Sequence, residues 1–304
     1  MQRREFLKWQ MRGALWLSAG ASVLAPSLAR AAQAPNIAVA KGDPAAAARA
    51  AVEMLGGMST VVKPGQRVVI KPNMSFADPP EYATNTHPLV VRELARMCRE
   101  AGAADIRILD NPLRSADICM ERSGIRAACQ DLPETSVRAL QEPSFFVEEA
   151  IPKGEAMTSN RFMRDVLRAD VLIAAPVAKS HSGAGVSLSM KGMMGLIYER
   201  GLMHRRGLHE TIVDLNTRIP ADLAVVDATR VLSTNGPQGP GRVLRENTVI
   251  ASRDFVAADA YTVGKFEWWG RRMRPEQVKY IRLAHQRGLG RMDVENLAVR
   301  EVSL

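Results

Sequence analysis

Cysteine is scarce in this chain, and the spacing of the few cysteines excludes most thiolate-based metal sites. The 304 residues include three cysteines, Cys98, Cys119 and Cys129. No two of them have C-x-x-C spacing, which excludes zinc ribbons and ferredoxin-type sites, so we expect no iron–sulfur cluster. Cys119 and Cys129 could form a disulfide in an oxidising compartment, and the sequence leaves that question open.

Long apolar runs and basic runs are also absent. The apolar stretch from Gly13 to Ala25 is too short to span a bilayer, so we expect no stable membrane span after processing. The formal net charge is +9, but five basic residues and one glutamate fall within the first 31 residues, so residues 32 to 304 carry +5. Their basic residues are scattered and not interleaved with aromatics, so we expect no nucleic-acid partner.

Several well-defined catalytic motifs are missing as well. A P-loop needs glycine immediately before its lysine, and Met190 precedes Lys191. A dinucleotide-binding fingerprint that starts at Gly183 would need glycine or alanine at Leu188. G-x-S-x-G and H-E-x-x-H are not found, and Ser187 lies one residue too far from Lys191 for S-x-x-K. These absences exclude the commonest nucleotide-binding, serine-nucleophile and zinc-protease chemistries.

The N-terminus, in contrast, carries a recognisable export pattern. The run from Arg3 to Lys8, RREFLK, resembles the twin-arginine motif, and a mild apolar run and small residues follow it. We therefore predict a signal peptide over residues 1–31, cleaved after Ala31. The pattern implies a bacterial protein that the twin-arginine translocase exports in the folded state to the periplasm.

Beyond residue 31, short β-branched runs alternate with longer helical stretches, which is typical of a parallel sheet. We predict an α/β fold with mostly parallel sheets, flanking helices and two lobes around a cleft. The expected lobes are residues 32–175 and 176–304. We also predict a helix over Arg161 to Arg168, and Val171 to Ala175 is the most apolar of the predicted strands.

Polar residues recur where the predicted strands end. Ligands of open parallel sheets bind outside the carboxyl ends of the strands, so these side chains should meet in one crevice. Candidate ligand-binding residues are Lys71, Asn73, Asp110, Lys179 and Asp227.

The segment from Ile173 to Glu210 is the best candidate for chemistry. It holds His181, Lys191 and His204 on what we predict to be a loop rich in glycine and serine after a buried strand. Neutral imidazoles bind transition metals or move protons, and a buried lysine can hold an anion or a covalent adduct. We predict these three residues to be catalytic, and His181 and His204 to be the residues that would hold a divalent metal.

Taken together, the motifs resemble the domain-of-unknown-function family 362. The resemblance covers nearly all of the chain beyond residue 31, and its members carry no general assigned activity. Some members have an added ferredoxin-type domain, whose cysteines this chain lacks. The matching motifs are VVIKPN (Val68 to Asn73), PVAKSH (Pro176 to His181), SLSMKGMMG (Ser187 to Gly195), NGPQGPG (Asn235 to Gly241) and ASRDFVAADA (Ala251 to Ala260).

A more distant resemblance is to the nickel-pincer lactate racemases. In those enzymes a histidine lies ten residues before the lysine that carries the cofactor, as His181 lies before Lys191, and a further histidine follows, as His204 does here. The resemblance implies that Lys191 would hold a cofactor or substrate, that His204 would bind metal and that His181 would be an acid or base. The racemase-like G-G-x-K is replaced by S-L-S-M-K here.

Two classes of function are consistent with these observations. The first is an exported enzyme that acts on a small carboxylate- or phosphate-bearing ligand in a cleft between the lobes. The second is a non-catalytic periplasmic binding or maturation protein. The sequence does not distinguish between them, and it leaves the cofactor unknown.

Overall fold

One ten-stranded sheet organises the part of the chain that the computed structural model describes, residues 34–304. The predicted signal peptide lies outside these residues. The strands of this sheet are β1 (Ile37–Lys41), β2 (Arg67–Pro72), β3 (Asp105–Asp110), β4 (Thr135–Ala139), β7 (Val171–Ala175), β8 (Val177–His181), β9 (Gly185–Ser187), β10 (Leu223–Leu232), β11 (Val243–Ser252) and β14 (Val299–Ser303). Two small antiparallel pairs complete the strands, β5 (Phe146–Ala150) with β6 (Ser159–Met163) and β12 (Glu267–Trp268) with β13 (Arg271–Arg272).

The main sheet is mostly parallel, as predicted. Its strand order is β14-β1-β11-β10-β7-β2-β3-β4, and the run from β10 to β4 is parallel throughout. The antiparallel pairs are β1 with β11, β11 with β10, and β8 with β9. Because β7 is buried along its whole length, its sequence reads as a continuous apolar run, which is typical of a parallel strand covered on both faces.

Helices cover both faces of the sheet. They are α1 (Pro44–Met54), α2 (Pro88–Glu100), α3 (Ala116–Arg122), α4 (Ile125–Cys129), α5 (Arg164–Leu167), α6 (Ser189–Gly192), α7 (Arg200–Arg205), α8 (Leu208–Arg218), α9 (Phe255–Lys265) and α10 (Lys279–Gln286). Successive residues of a strand point to opposite faces, so Val68 and Ile70 join the core beneath α1 and α2 whereas Val69 joins the core beneath α8 and α9. The α/β fold with flanking helices is therefore confirmed.

Side-chain caps start two of these helices. The Asp43 carboxylate accepts hydrogen bonds from the N–H groups of Ala45 and Ala46, and Pro44 occupies the first turn of α1. Asp254 caps α9 in the same way. Such caps satisfy N–H groups that have no partner within the helix.

Two predictions of secondary structure are wrong. The predicted helix over Arg161 to Arg168 is half strand, because β6 takes up Ser159–Met163 and leaves Arg164–Leu167 to α5. Antiparallel pairing with β5 outweighs the helical pattern of this short segment. The predicted loop after β7 instead contains the antiparallel hairpin of β8 and β9. Pairing of β8 with β10 also holds this segment in the main sheet.

Strands from both predicted lobes belong to the same sheet. β1 pairs with β11 and β14, both of which come from beyond residue 176. Residues 34–304 cluster as one compact unit, and the boundary at residue 175 stays a prediction. No helix in residues 34–304 has both the length and the apolar character needed to cross a membrane. Cys98, Cys119 and Cys129 are buried free thiols, so Cys119 and Cys129 form no disulfide.

Candidate functional site

An open cavity lies at the carboxyl ends of β2, β3 and β8. Its volume is about 600 Å³, including the part that is open to solvent. Most of the residues predicted from strand ends and from the segment after β7 line it. They are Lys71, Asn73, Asp110, Lys179, His181, Lys191 and His204.

Asp227 does not line this cavity. One of its carboxylate oxygens accepts hydrogen bonds from the N–H of His87 at 2.7 Å and from Arg230 at 2.9 Å. The other accepts from the N–H and the hydroxyl of Thr229. The side chain is fully buried, so the structure shows it joining β10 to the start of α2.

Lys71 and Asp110 form a buried ion pair on the floor of the cavity. Lys71 Nζ lies 3.1 Å from Asp110 Oδ1 and also donates to the carbonyl of Pro72. The other Asp110 oxygen accepts from the N–H of Met74 at 2.8 Å and from the Ser75 hydroxyl at 3.0 Å. Burial lowers the pKa of Lys71, and the nearby Asp110 charge partly opposes that effect. Both members of the pair are therefore held in place before any ligand binds.

Lys179 is the second buried lysine of the site. Its ammonium donates to the Thr84 carbonyl at 2.6 Å and lies 4.8 Å from the centre of the Phe76 ring. Burial, followed by repulsion from Lys191, lowers the pKa of Lys179 to about 7. The ammonium has polar and aromatic partners but no ion-pair partner among the described residues, so its charge is uncompensated.

Lys191 faces the cavity without any hydrogen-bond or ion-pair partner among residues 34–304. Burial, followed by repulsion from Arg200 and Lys71, lowers the pKa of Lys191 to about 8. The ordinary pKa of a lysine is 10.5. Because the pKa of Lys191 is lowered to about 8, a fraction of the Lys191 side chains carries a neutral amine near pH 8.

The short helix α6 fixes the position of Lys191. The Asp259 carboxylate of α9 accepts hydrogen bonds from the N–H groups of Ser189 at 2.8 Å and Met190 at 3.0 Å. The Asn216 side chain of α8 donates to the Met190 carbonyl at 3.0 Å. These contacts satisfy backbone groups on both sides of a four-residue helix that could not form alone.

The hydrogen bonds of His181 determine which ring nitrogen carries the proton. Nδ1 accepts from the N–H groups of Gly183 and Ala184, each at 3.1 Å, so it holds a lone pair. Burial, followed by the Lys191 charge, lowers the pKa of His181 to about 3, so the ring is neutral at physiological pH. The proton of the neutral ring is then on Nε2, and His181 serves the cavity as a hydrogen-bond donor.

Two residues of α7 complete the lining. Arg200 donates to the carbonyls of Asn111 at 2.7 Å and Pro112 at 3.2 Å, which directs its guanidinium to the end of β3. Burial lowers the pKa of Arg200, and Asp110 partly opposes this. His204 lies on the same helix and is exposed, and burial together with the Lys191 charge lowers its pKa.

The donor set around the cavity is weak for a metal ion. Within residues 34–304 no group of three or more His, Cys, Asp or Glu side chains could hold one. His181 would have to lose its Nε2 proton to bind through that atom, and the Asp110 oxygens are committed to Lys71, Met74 and Ser75. The metal roles of His181 and His204 stay predictions.

Arg200 and Asp259 are the main site residues that the sequence did not reveal. Arg200 reaches the cavity from a helix, so no strand end points to it. Asp259 of α9 holds the backbone that precedes Lys191, and its only mark in the sequence is its place in the ASRDFVAADA motif. The nearby Ser75 and Phe76 follow Asn73 and could have been inferred from their place after β2.

Comparison with known families agrees with the motif pattern. Residues 68–264 match the family model described as Domain of unknown function (DUF362). The chain belongs to this family. The matched range begins at the second residue of β2 and contains β3 to β11, most of α9 and every residue that lines the cavity.

Similarity to individual known proteins is lower. The thylakoid-associated protein sll1697 of Synechocystis sp. is 28% identical over 233 residues, which cover 72% of this chain and 70% of that protein. The solved structure of the lactate racemase apoprotein from Thermoanaerobacterium thermosaccharolyticum aligns with a TM-score of 0.46 and 13% identity. That alignment covers 75% of this chain and 58% of the racemase chain, so the chain spans less than two thirds of the racemase length.

Proposed function

We propose that this protein is exported and binds a small anionic ligand, a carboxylate or a phosphate, in the cavity at the ends of β2, β3 and β8. The observation that carries the proposal is the charge of the lining. Four cationic side chains, Lys71, Lys179, Lys191 and Arg200, face one carboxylate, that of Asp110.

The cationic side chains of the ligand-free site repel one another. Lys179 and Lys191 repel each other, and Lys191 is further repelled by Arg200 and Lys71. A bound anion would offset this repulsion in surroundings where water screens charges poorly. Repulsion between like charges lowers the stability of the fold, and such a loss of stability is expected where function requires the charges.

Within the site the roles divide by geometry. Lys71 is paired with Asp110, so Lys191, Lys179 and Arg200 supply the uncompensated charge. His181 Nε2–H donates a directed hydrogen bond to a ligand oxygen. The buried Asn73 side chain is held in place because its Oδ1 accepts a hydrogen bond from the Val177 N–H at 3.0 Å. His204 lies at the exposed edge, where it contacts the part of the ligand that faces solvent.

The test is anion-dependent stabilisation of the purified protein. Phosphate and lactate should raise the melting temperature, and the neutral amide of lactate should not. Lys191→Ala and His181→Ala should reduce the affinity for these anions about tenfold or more, since each removes a charged or charge-assisted contact. Lys63→Ala, an exposed lysine before β2, is the matched control and should behave as wild type. Wild-type shifts retained in both cavity variants would contradict the proposal.

Export needs a separate test. Replacing both Arg3 and Arg4 by lysine keeps the charge but removes the twin-arginine pattern. The variant should stay in the cytoplasm of cells that place the wild type in the periplasm, as measured by fractionation. Periplasmic delivery of the double variant would contradict the twin-arginine route and leave the anion site untouched.

A further inference from the structure

We propose that Lys191 forms an imine with a small 2-oxo acid bound in the cavity. This inference rests on the proposed anion site and names the ligand class and the bond that it would form. The carbonyl of a 2-oxo acid lies next to its carboxylate, so one small molecule would engage both the cations and the amine of Lys191.

Lys191 is the lysine of the cavity that is free to react. Lys71 is tied to Asp110 and the Pro72 carbonyl, and Lys179 is tied to Thr84 and Phe76. Lys191 has no such partner among residues 34–304, while Asp259 and Asn216 hold the helix that carries it. A rigid backbone with an uncommitted side chain is the arrangement that a covalent lysine requires.

The amine of Lys191 must be neutral to react with a carbonyl group. Only the neutral amine attacks a carbonyl carbon, and an ordinary exposed lysine is almost entirely protonated at pH 7. Burial and the charges of Arg200 and Lys71 favour loss of that proton from Lys191. The reactive form is therefore populated near neutral pH without a separate base.

The other side chains of the cavity match the carboxylate and the carbonyl oxygen of a 2-oxo acid. The Arg200 guanidinium lies at the end of β3, where it would hold the carboxylate. His181 Nε2–H would donate to the carbonyl oxygen and make its carbon more electrophilic. A neutral imidazole that donates does not compete with the amine for a proton.

The reaction balances without an oxidant or reductant. Lys191 Nζ forms a bond to the carbonyl carbon, giving a carbinolamine, and the carbinolamine oxygen then leaves as water. The neutral amine, the oxo acid and one proton give the protonated imine and water. The cavity is open to solvent, so water can carry the proton that the Lys191 nitrogen releases to the carbinolamine oxygen and supply the one further proton with which that oxygen leaves as water.

The experiment is reductive trapping with pyruvate as the probe. Purified protein is incubated with pyruvate and sodium cyanoborohydride, and intact mass and peptide mapping follow. We expect one adduct on Lys191, heavier than the protein by the mass of pyruvic acid less one oxygen atom. Lactate, which has no carbonyl, should give no adduct and should slow the labelling. Lys191→Arg should abolish the adduct, and Lys63→Arg should label as wild type.

The outcomes separate the two proposals. If the wild type binds lactate by calorimetry but pyruvate labels Lys191 no faster than it labels exposed lysines, the imine is overturned and the anion site stands. If neither lactate nor pyruvate binds and no adduct forms, both proposals fail. The melting temperature of Lys191→Arg shows whether that variant is folded, so a lost adduct is not mistaken for a lost fold.

Discussion

A Cβ atom on Gly195 would lie 2.1 Å from Oδ1 of Asp110 and 2.5 Å from Cε of Lys71. The turn that follows α6 thus closes directly over the buried ion pair, and the Gly195 carbonyl accepts a hydrogen bond from the Asn111 N–H at 2.8 Å. No side chain fits at this position unless the pair moves.

Gly195→Ala should therefore destabilise the protein by about 2 kcal/mol or more, because neither atom beneath it can move without breaking a buried contact. Chemical denaturation gives the free energy of unfolding. Gly264→Ala is the control, since a Cβ on that helical glycine of α9 meets nothing within 4 Å. It should be neutral or stabilising by up to about 1 kcal/mol. Equal effects of the two substitutions would contradict the close packing at Gly195.

Lys191→Met should stabilise the ligand-free protein at pH 6 while it weakens anion binding. The Lys191 ammonium is half-buried and has no ion-pair partner among residues 34–304, and methionine has a similar shape without the charge, so the gain should be about 1 kcal/mol or more. The pKa of Lys191 is depressed to about 8, so its charge destabilises the fold fully below pH 8. That penalty falls as the pH rises from about 8 towards the ordinary value of 10.5, so the gain should be smaller at pH 9.5. A loss of stability at pH 6 would show that Lys191 has a structural partner.

Anion affinity should fall as the pH rises through the range from 7 to 9. Lys179, with a pKa of about 7, and Lys191, with a pKa of about 8, lose their protons over this range, and a bound anion favours the protonated forms. Calorimetry with phosphate is complicated by its own titration, so lactate is the better probe. We expect about tenfold weaker binding at pH 9 than at pH 6.5. Affinity that is constant or rises with pH would exclude these lysines as the binding groups.

Asp227→Asn should lower stability without changing anion affinity. Asparagine cannot balance the charge of Arg230, and Asp227 accepts four hydrogen bonds in the core, so the cost should be about 3 kcal/mol. Asp131→Asn, in an exposed pair with Arg92, serves as the control and should change stability little. Reduced lactate affinity with unchanged stability would restore Asp227 to the binding site.

Most of the predicted residues line one cavity because a parallel sheet brings its strand ends together. Lys71 and Asp110 end β2 and β3 as expected, and both reach the cavity. Asp227 failed this rule because β10 runs on to Leu232, so the aspartate lies within the strand and not at its end. An apolar run shows where a strand lies, but it does not show where the strand ends when strand pairing continues through polar residues.

Other parts of the site depend on tertiary contacts that leave no local pattern. Arg200 reaches the cavity through the length of its side chain, and Asp259 acts through backbone groups of another element. The donor role of His181 follows from two backbone N–H groups of the next turn, which only coordinates reveal. Residue types and order therefore indicated which side chains line the cavity, but not their protonation or the contacts that hold them in place.

The position of β1 constrains how the chain can fold during synthesis. This strand begins the described region, yet its two neighbours in the sheet are β11 and β14, from the last quarter of the chain. Until β11 has left the ribosome, β1 has no strand to pair with, and α1 packs on an incomplete surface. Contacts of such wide separation slow folding and expose unpaired edges. The nascent protein should therefore depend on chaperones until translation is complete, and a chain stalled before Val243 should be a substrate for proteolysis.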